Sequence, residues 1–464
     1  MKDTNYLWIT TGGEGLAVAR EVAKSTPTIC WGDFMIHGED TMLPQYRIWD
    51  KINHWMQARN IAPDNHHIII DGFMPFTQPH VLNGKTHRNT ADFLPAIGGG
   101  KSSKLFNRLG SDPLLAREVA YQNGVSTVPI INCDSLDELL DYVLSEPHKP
   151  HDIVSAENLY RTPSGASAHT WISELSMHNR LKPPFAVSTP PSGLEVRVLQ
   201  IFHDGEPISG PVLDCKGAMC GIGQGSLIYT ETLQKLHKFI SEINWTGVFG
   251  VSVRAAKVDD DFHIYAEGFI TELKRAGLPA LSELHGDEPA DIMKLITEGS
   301  TLSWNRDWVS YYRMAGDENP HLQPAWVDHG ISNKVKVWWG DVIEDRTIRR
   351  ISGRMVATLT AKHPKDPRKA RSHLDHATNY IISPDVRLFV INDRIDPFKV
   401  FSQLINWELC MSLQKEAKSA TDNIKGQKRR GAKGTSQDHP SGTKKDLSDT
   451  KSTSSQNQGN GRAA

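Results

Sequence analysis

The chain has 464 residues, too many for one core, so about two to four structural units are expected. A hydrophobic share of 38% and a charged share of 23% exclude a wholly disordered chain, and a net charge of −2 excludes a global pull toward nucleic acid or an anionic membrane. The cysteines Cys30, Cys133, Cys215, Cys220 and Cys410 form no C-x-x-C pair and have no histidines at finger spacing. This argues against a disulfide scaffold or structural zinc, and for reduced thiols in the cytoplasm. The first apolar run is short and passes at once into glycines, which reads as a buried strand and not a signal peptide. No stretch of about 18 apolar residues is present to span a membrane.

Tyr6 to Thr10 predicts a buried strand, Thr11 to Gly15 a tight turn, and Leu16 to Lys24 a helix with Leu16, Val18, Ala19, Val22 and Ala23 at helical spacing. Strand, glycine turn and helix make the first unit of a parallel α/β sheet. His66 to Asp71 predicts a second strand. Ser111 to Asn123 predicts a helix, Val128 to Ile131 an edge strand, and Ser135 caps a helix through Val143. His151 to Leu159 reads as a strand. Val196 to Phe202, the Asp204-Gly205 turn and Pro211 to Leu213 form a predicted hairpin. Gly247 to Val258 and Phe262 to Gly268, joined by Asp259-Asp260-Asp261, form another. A final piece runs from about Val335 to Leu413, with a strand over Met355 to Thr360 and an Arg- and His-rich helix around Arg368 to Tyr380. After Lys415 large apolar residues nearly vanish, which predicts disorder.

Several residues carry both a chemical and a plain structural reading. Gly12 and Gly13 permit a turn at a helix N-terminus, a natural phosphate position, yet such turns are common. Lys216, two residues after Asp214, lies on a strand or its exit loop; on a strand the two share a face, so an ion pair between them competes with contact of Lys216 to a phosphate. Glu195 lies on a predicted strand, where it is equally a surface residue. Glu267 and Glu272 flank a strand end, where solvated acids are ordinary. Gly98-Gly99-Gly100-Lys101-Ser102-Ser103 looks like the end of a phosphate loop, but Pro95 stands where the earlier glycine is required. The histidines show no H-E-x-x-H or comparable ligand set. The tail cations Lys425, Lys428, Arg429, Arg430, Lys433, Lys444 and Lys445 suit weak nucleic-acid contact or simple solubility.

The order of pieces is more specific than any one of them. Leu109-Gly110-Ser111, a helix, Asn123-Gly124-Val125 and Ile153-Val154 come first, followed by Gly193-Leu194-Glu195-Val196, the Asp204-Gly205 turn and Asp214-Cys215-Lys216. Then come Trp245 to Val251, Phe262 to Glu267, Glu272-Leu273-Lys274-Arg275-Ala276-Gly277, and Ser352-Gly353-Arg354-Met355-Val356. Over roughly residues 5 to 410 this series resembles the glycinamide ribonucleotide synthetases of the ATP-grasp superfamily.

The resemblance implies an α/β architecture: an N-terminal parallel-sheet domain (1–110), a lid subdomain (111–185), an ATP-grasp domain (186–330), a small C-terminal α+β domain (331–413) and a disordered basic tail (414–464). It implies an ATP-dependent ligase of purine biosynthesis type. Such an enzyme joins glycine or a similar small carboxylate to an amine such as phosphoribosylamine through an acyl phosphate, with ATP and Mg²⁺. It further implies Glu195, Asp214 and Lys216 at the nucleotide, Glu267 or Glu272 at the metal, Gly12 and Gly13 at the substrate phosphate, and Arg275 as the catalytic fork. Departures stand beside these matches. Ser155 and Asp112 occupy lysine positions, Pro163 to Ser167 replaces a glycine-lysine-glycine loop, and Ser188 and Thr189 replace paired acids. They leave open a non-catalytic binding or scaffold relative, or a ligase acting in nucleotide or DNA modification.

Overall fold

The computed structural model describes residues 5–10, 15–26, 28–32, 66–70, 75–82, 85–89, 109–110, 112–155, 158–177, 181–271, 277–286, 288–304, 309–316, 323–340, 342–345, 348–351, 355–363, 367–383, 388–390 and 397–432. Residues 1–414 form one unit and 415–464 a second.

At the N-terminus, β1 (Asn5–Thr10) is followed by α1 (Leu16–Ala23) and β2 (Thr28–Gly32). With β3 (His66–Ile70) they form a parallel sheet in the order β2-β1-β3, as the strand–turn–helix pattern predicts. Tyr6 and Trp8 are buried against Leu16, Val18 and Val22 of α1. A hairpin of β4 (Pro75–Leu82) and β5 (Lys85–Asn89) follows.

Next comes α2 (Pro113–Gln122), whose N-terminus is capped by Asp112 accepting from Leu114 and Leu115 backbone N–H at 3.1 and 3.0 Å. A four-stranded antiparallel sheet in the order β6-β9-β7-β8 contains β6 (Ile131–Cys133), β7 (His151–Ser155), β8 (Asn158–Thr162) and β9 (Phe185–Ser188). Its helices are α3 (Leu136–Ser145), capped by Ser135, and α4 (Gly165–Met177). They cover one face through Leu139, Val143, Ala168 and Ile172, packed on Ile153, Phe185 and Val187. The first strand starts at Ile131, later than the predicted Val128, because Pro129 brings no N–H to a ladder. Ala116, Val119 and Ala120 of α2 lie in the larger core described next.

A ten-stranded sheet carries the rest. It begins with β10 (Gly193–His203), β11 (Glu206–Pro207), β12 (Val212–Asp214) and β13 (Ala218–Gly221). Two short helices, α5 (Leu227–Thr230) and α6 (His237–Glu242), lead to β14 (Gly247–Val258) and β15 (Asp261–Ile270). Both hairpin turns adopt the positive φ that two-residue turns require: 48° and 84° at Asp204 and Gly205, 48° and 69° at Asp259 and Asp260. A Cβ at Gly205 would also lie 2.6 Å from the Ser241 backbone, so the turn admits only glycine. Helices α7 (Gly277–His285) and α8 (Pro289–Glu298) precede β16 (Val309–Gly316).

The last part of the unit does not stand apart as its own sheet. Here β17 (Pro324–Val327), β19 (Val342–Asp345), β20 (Ile348–Ile351) and β22 (Ile381–Ile382) form a small sheet. In contrast, β18 (Val335–Trp339) and β21 (Met355–His363) extend the large sheet beside β16, and β23 (Phe389–Val390) also pairs with β16. The predicted basic helix is α9 (Pro367–Leu374), followed by a separate 3₁₀ turn, Ala377–Tyr380.

Finally, α10 (Pro397–Ala432) runs beyond the unit boundary. Leu404, Trp407 and Met411 enter the core of the large sheet, and Glu408 caps α5 by accepting from Ser226 Oγ at 2.5 Å and Ile228 N–H at 3.2 Å. In the second unit, residues 415–432 are helical, which corrects the expectation of disorder from residue 414. A segment too polar to build a core still holds Lys, Glu, Ala and Gln, which favour helix. Residues 433–464 lie outside the described residues. No described helix is long and apolar enough to cross a membrane.

Trp245 anchors the core under β14. It is 1% exposed, meets Phe249 edge-on at 5.1 Å between ring centroids, and donates to the Val248 carbonyl at 3.2 Å. Trp245→Ala is expected to lower unfolding free energy by about 3–5 kcal/mol in urea titration. A change below about 1 kcal/mol would show that the site collapses without cost.

Candidate functional site

Where the four-stranded sheet meets the large one, strands with apolar neighbours bring charged side chains together. All five residues of β7 are buried, Asp152 among them. On β10 and β14, Glu195 and Arg254 are directly paired across the ladder. On β15 the register breaks: Ser252 pairs with Gly268 and Val253 with Ala266, leaving Glu267 as the extra residue of a bulge. A bulge re-aims a side chain. It delivers the Glu267 carboxylate, 0% exposed, to Arg254 Nε at 2.6 Å.

The network spreads from that pair. Arg254 donates its other arm to Glu195 at 2.6 Å, and Lys216 Nζ also donates to Glu195. Arg117, on α2, forms an ion pair with Asp152 at 3.0 Å and donates to Ser188 Oγ at 2.8 Å. Arg161, on β8, lies 3.4 Å from Glu267, 3.6 Å from Asp152 and 3.9 Å from Glu195. Burial pushes Asp152 above the usual carboxylate range despite Arg161 and Arg117. It also tends to lower the Arg254 guanidinium, but Glu267 and Glu195 together carry that group above its ordinary value.

The structure thus brings three of the sequence candidates, Glu195, Lys216 and Glu267, into one cluster. Asp214 sits at its edge. The two-apart reading of Asp214 and Lys216 does not describe their contact, because Lys216 adopts φ 57° and leaves the strand. Its backbone N–H donates to Asp214 Oδ1 at 2.8 Å, and Arg197 is the 3.4 Å ion partner of that carboxylate. Gly12, Gly13, Glu272 and Arg275 lie outside the described residues. Arg117, Asp152, Arg161 and Arg254 were not singled out from sequence. The available signal was a charge inside an apolar strand, as in Ile153-Val154 beside Asp152 and Val253-Arg254-Ala255.

The substituted positions have internal partners. Ser155 Oγ donates to the Lys182 carbonyl and accepts its N–H, both at 3.1 Å. Asp112 caps α2. Ser188 receives Arg117, and Thr189 Oγ1 lies 3.0 Å from Tyr142 Oη and 3.2 Å from His151 Nδ1. Pro163 to Ser167, which stands in for the glycine-lysine-glycine loop, has a structural role. It opens α4, with Ser167 N–H donating to Ser164 Oγ at 3.2 Å. Ser155 of β7 pairs with Asn158 of β8.

Of the two metal candidates, only Glu267 is among the described residues. Both Glu267 oxygens face guanidinium groups, and no group of three or more His, Cys, Asp or Glu among the described residues could hold a metal.

No protein-family profile matches the chain, and no curated protein matches it in sequence. The fold does match solved structures. Phosphoribosylamine–glycine ligase from Thermotoga maritima superposes with a TM-score of 0.58 at 12% identity, covering 83% of this chain and 98% of that one. N5-carboxyaminoimidazole ribonucleotide synthetase from the same organism gives 0.55 at 11%, covering 82% and 99%. Biotin carboxylase from Campylobacter jejuni gives 0.55 at 13%, covering 82% and 92%. All are ATP-grasp enzymes, and the likeness shows that this chain has an ATP-grasp fold resembling that of glycinamide ribonucleotide synthetase.

Glu195 gives the cluster a pH signature. Burial raises its proton affinity, but the hydrogen bond and charge of Lys216, joined by Arg254 and Arg161, hold the carboxyl down to about 2 against an ordinary 4.5. With the folded value below the unfolded one, ionisation stabilises the fold above about pH 4.5, and that stability is lost as pH falls toward 2. Urea midpoints compared at the two ends of this window should fall further for the wild type than for Glu195→Gln, by on the order of 2 kcal/mol. Parallel losses in the two proteins would contradict this assignment.

Proposed function

We propose that this chain is an ATP-dependent carbon–nitrogen ligase joining glycine or a similar small carboxylate to an amine such as phosphoribosylamine. The observation that carries this reading is the convergence of Lys216, Arg254 and Arg161 at the junction of two sheets in an ATP-grasp fold. Polyphosphate carries several negative charges, and clustered cations supply the fixed counter-charge that phosphoryl transfer requires. Lys216 and Arg161 remain 30% and 43% exposed, so ligand can reach them.

In this reaction a carboxylate oxygen bonds to the terminal phosphorus of ATP as the bond to ADP breaks, giving an acyl phosphate. The amine nitrogen then bonds to the carbonyl carbon, losing a proton as inorganic phosphate leaves. By family resemblance, Glu195 holds the nucleotide, Gly12 and Gly13 receive the acceptor's phosphate, and Arg275 forks to the reacting group.

A second reading, a non-catalytic relative that keeps the fold for binding, is favoured by the internal partners of Ser155, Asp112, Ser188 and Thr189. The two readings separate in one experiment. ATP at about 100 times its Kd should add about 2.7 kcal/mol of stability in a thermal-shift titration, and Lys216→Ala should lose most of it. Glycine and an amine added to the ATP-bound protein should then release ADP. ATP binding without ADP release across a panel of amines and small carboxylates selects the binding reading. No stabilisation at millimolar ATP sinks the ligase.

A further inference from the structure

The cations of the cluster are not equivalent. Asp152 has Arg117 at 3.0 Å, Glu267 has Arg254 at 2.6 Å, and Glu195 has both Arg254 at 2.6 Å and Lys216. These are charge-assisted hydrogen bonds of ordinary length or shorter. Arg161 approaches the same three carboxylates only at 3.4, 3.6 and 3.9 Å. Once every carboxylate has its own close cation, Arg161 is the one left over. It is also the most exposed, at 43% against 30% for Lys216, 11% for Arg254 and 3% for Arg117. Its strand, β8, is the edge of the four-stranded sheet.

We propose that Arg161 is the anion-gripping residue of this site, turning from the three carboxylates to a phosphate group of the ligand, which is bound without a divalent cation. This rests on the reading that the ligand carries a phosphate chain. In the turn Asp152, Glu195 and Glu267 keep their closer partners, and Glu267 Oε2 gives up its 3.4 Å hydrogen bond from Arg161. A guanidinium fork suits a phosphate bidentately, supplying two N–H donors and one positive charge. A metal ion is disfavoured at the same place. At Glu267 Oε1 it must displace Arg254, and at Oε2 it must take the place of Arg161, among four positive side chains set against three carboxylates.

Calorimetric titration with sodium tripolyphosphate tests this in EDTA and in magnesium buffer, using wild type, Arg161→Gln and Arg161→Lys, with ATP titrated in parallel. Wild type should bind tripolyphosphate in EDTA at least as tightly as in magnesium. Arg161→Gln should bind at least about tenfold more weakly, and Arg161→Lys should fall between, because it keeps the charge and loses the fork. Thermal midpoints of the variants should stay within a few degrees of wild type, and the EDTA comparison needs no variant at all. Binding that requires magnesium, or that is unchanged in Arg161→Gln, overturns the proposal. Tripolyphosphate bound while ATP is refused leaves Arg161 its role and overturns the nucleotide reading, and refusal of both overturns both.

Discussion

A carboxylate taken wholly out of water must be met by positive charge, and Glu267 is such a carboxylate. Its desolvation costs several kcal/mol, and leaving it unpaired would cost a comparable amount again. Much of the junction follows from meeting that demand. The bulge on β15 brings the carboxylate to Arg254, Arg254 needs a second acceptor and finds Glu195, and Glu195 draws in Lys216. Arg117, its Nε 3.5 Å from the Glu267 carbonyl, carries the chain of contacts to Asp152 and Ser188. One buried charge therefore fastens α2, β7, β9, β10, β14 and β15 to a common point.

The same economy holds at the positions where the sequence departs from the series it resembles. A lysine reaching for phosphate needs an open cleft, whereas a serine or aspartate at the same place can serve its own backbone. Ser155 pins the segment at Lys182, Asp112 starts a helix, and Thr189 fills the space between Tyr142 and His151. Each side chain has a partner within the protein.

Much of the architecture was legible because local chemistry and tertiary structure agree. Asp204-Gly205 and Asp259-Asp260 are turn sequences that tolerate left-handed backbone, and both hairpins formed there. β1, α1 and β3 followed from apolar runs and periodicity, whereas β2, Thr28–Gly32, was not among the expected strands. The cluster was only partly legible. A bulge cannot be read from a strand's composition, so nothing announced that Glu267 would turn inward. Arg117 on an amphipathic helix reads as a solvated residue, and only its distant partner Asp152, 35 positions along, makes it a buried one. The helix past Lys415 was misjudged for another reason: inability to form a core was taken as inability to form secondary structure, and the two are separate properties.

The position of α10 has a consequence for how the protein is made. Leu404, Trp407 and Met411 fill a core whose other members span residues 109 to 269, and Gln414 bonds back to Asp261 and to the backbone of Phe262. A ribosome therefore delivers the stopper long after the vessel. Until some 400 residues have been translated and the exit tunnel cleared, the underside of the large sheet has no lid of its own, and α5 waits for the glutamate that caps it. Over that interval the nascent chain presents apolar surface to its surroundings. Chaperone demand should thus track the arrival of the last helix, and a truncation that ends before it should be recognised by the cell as unfinished.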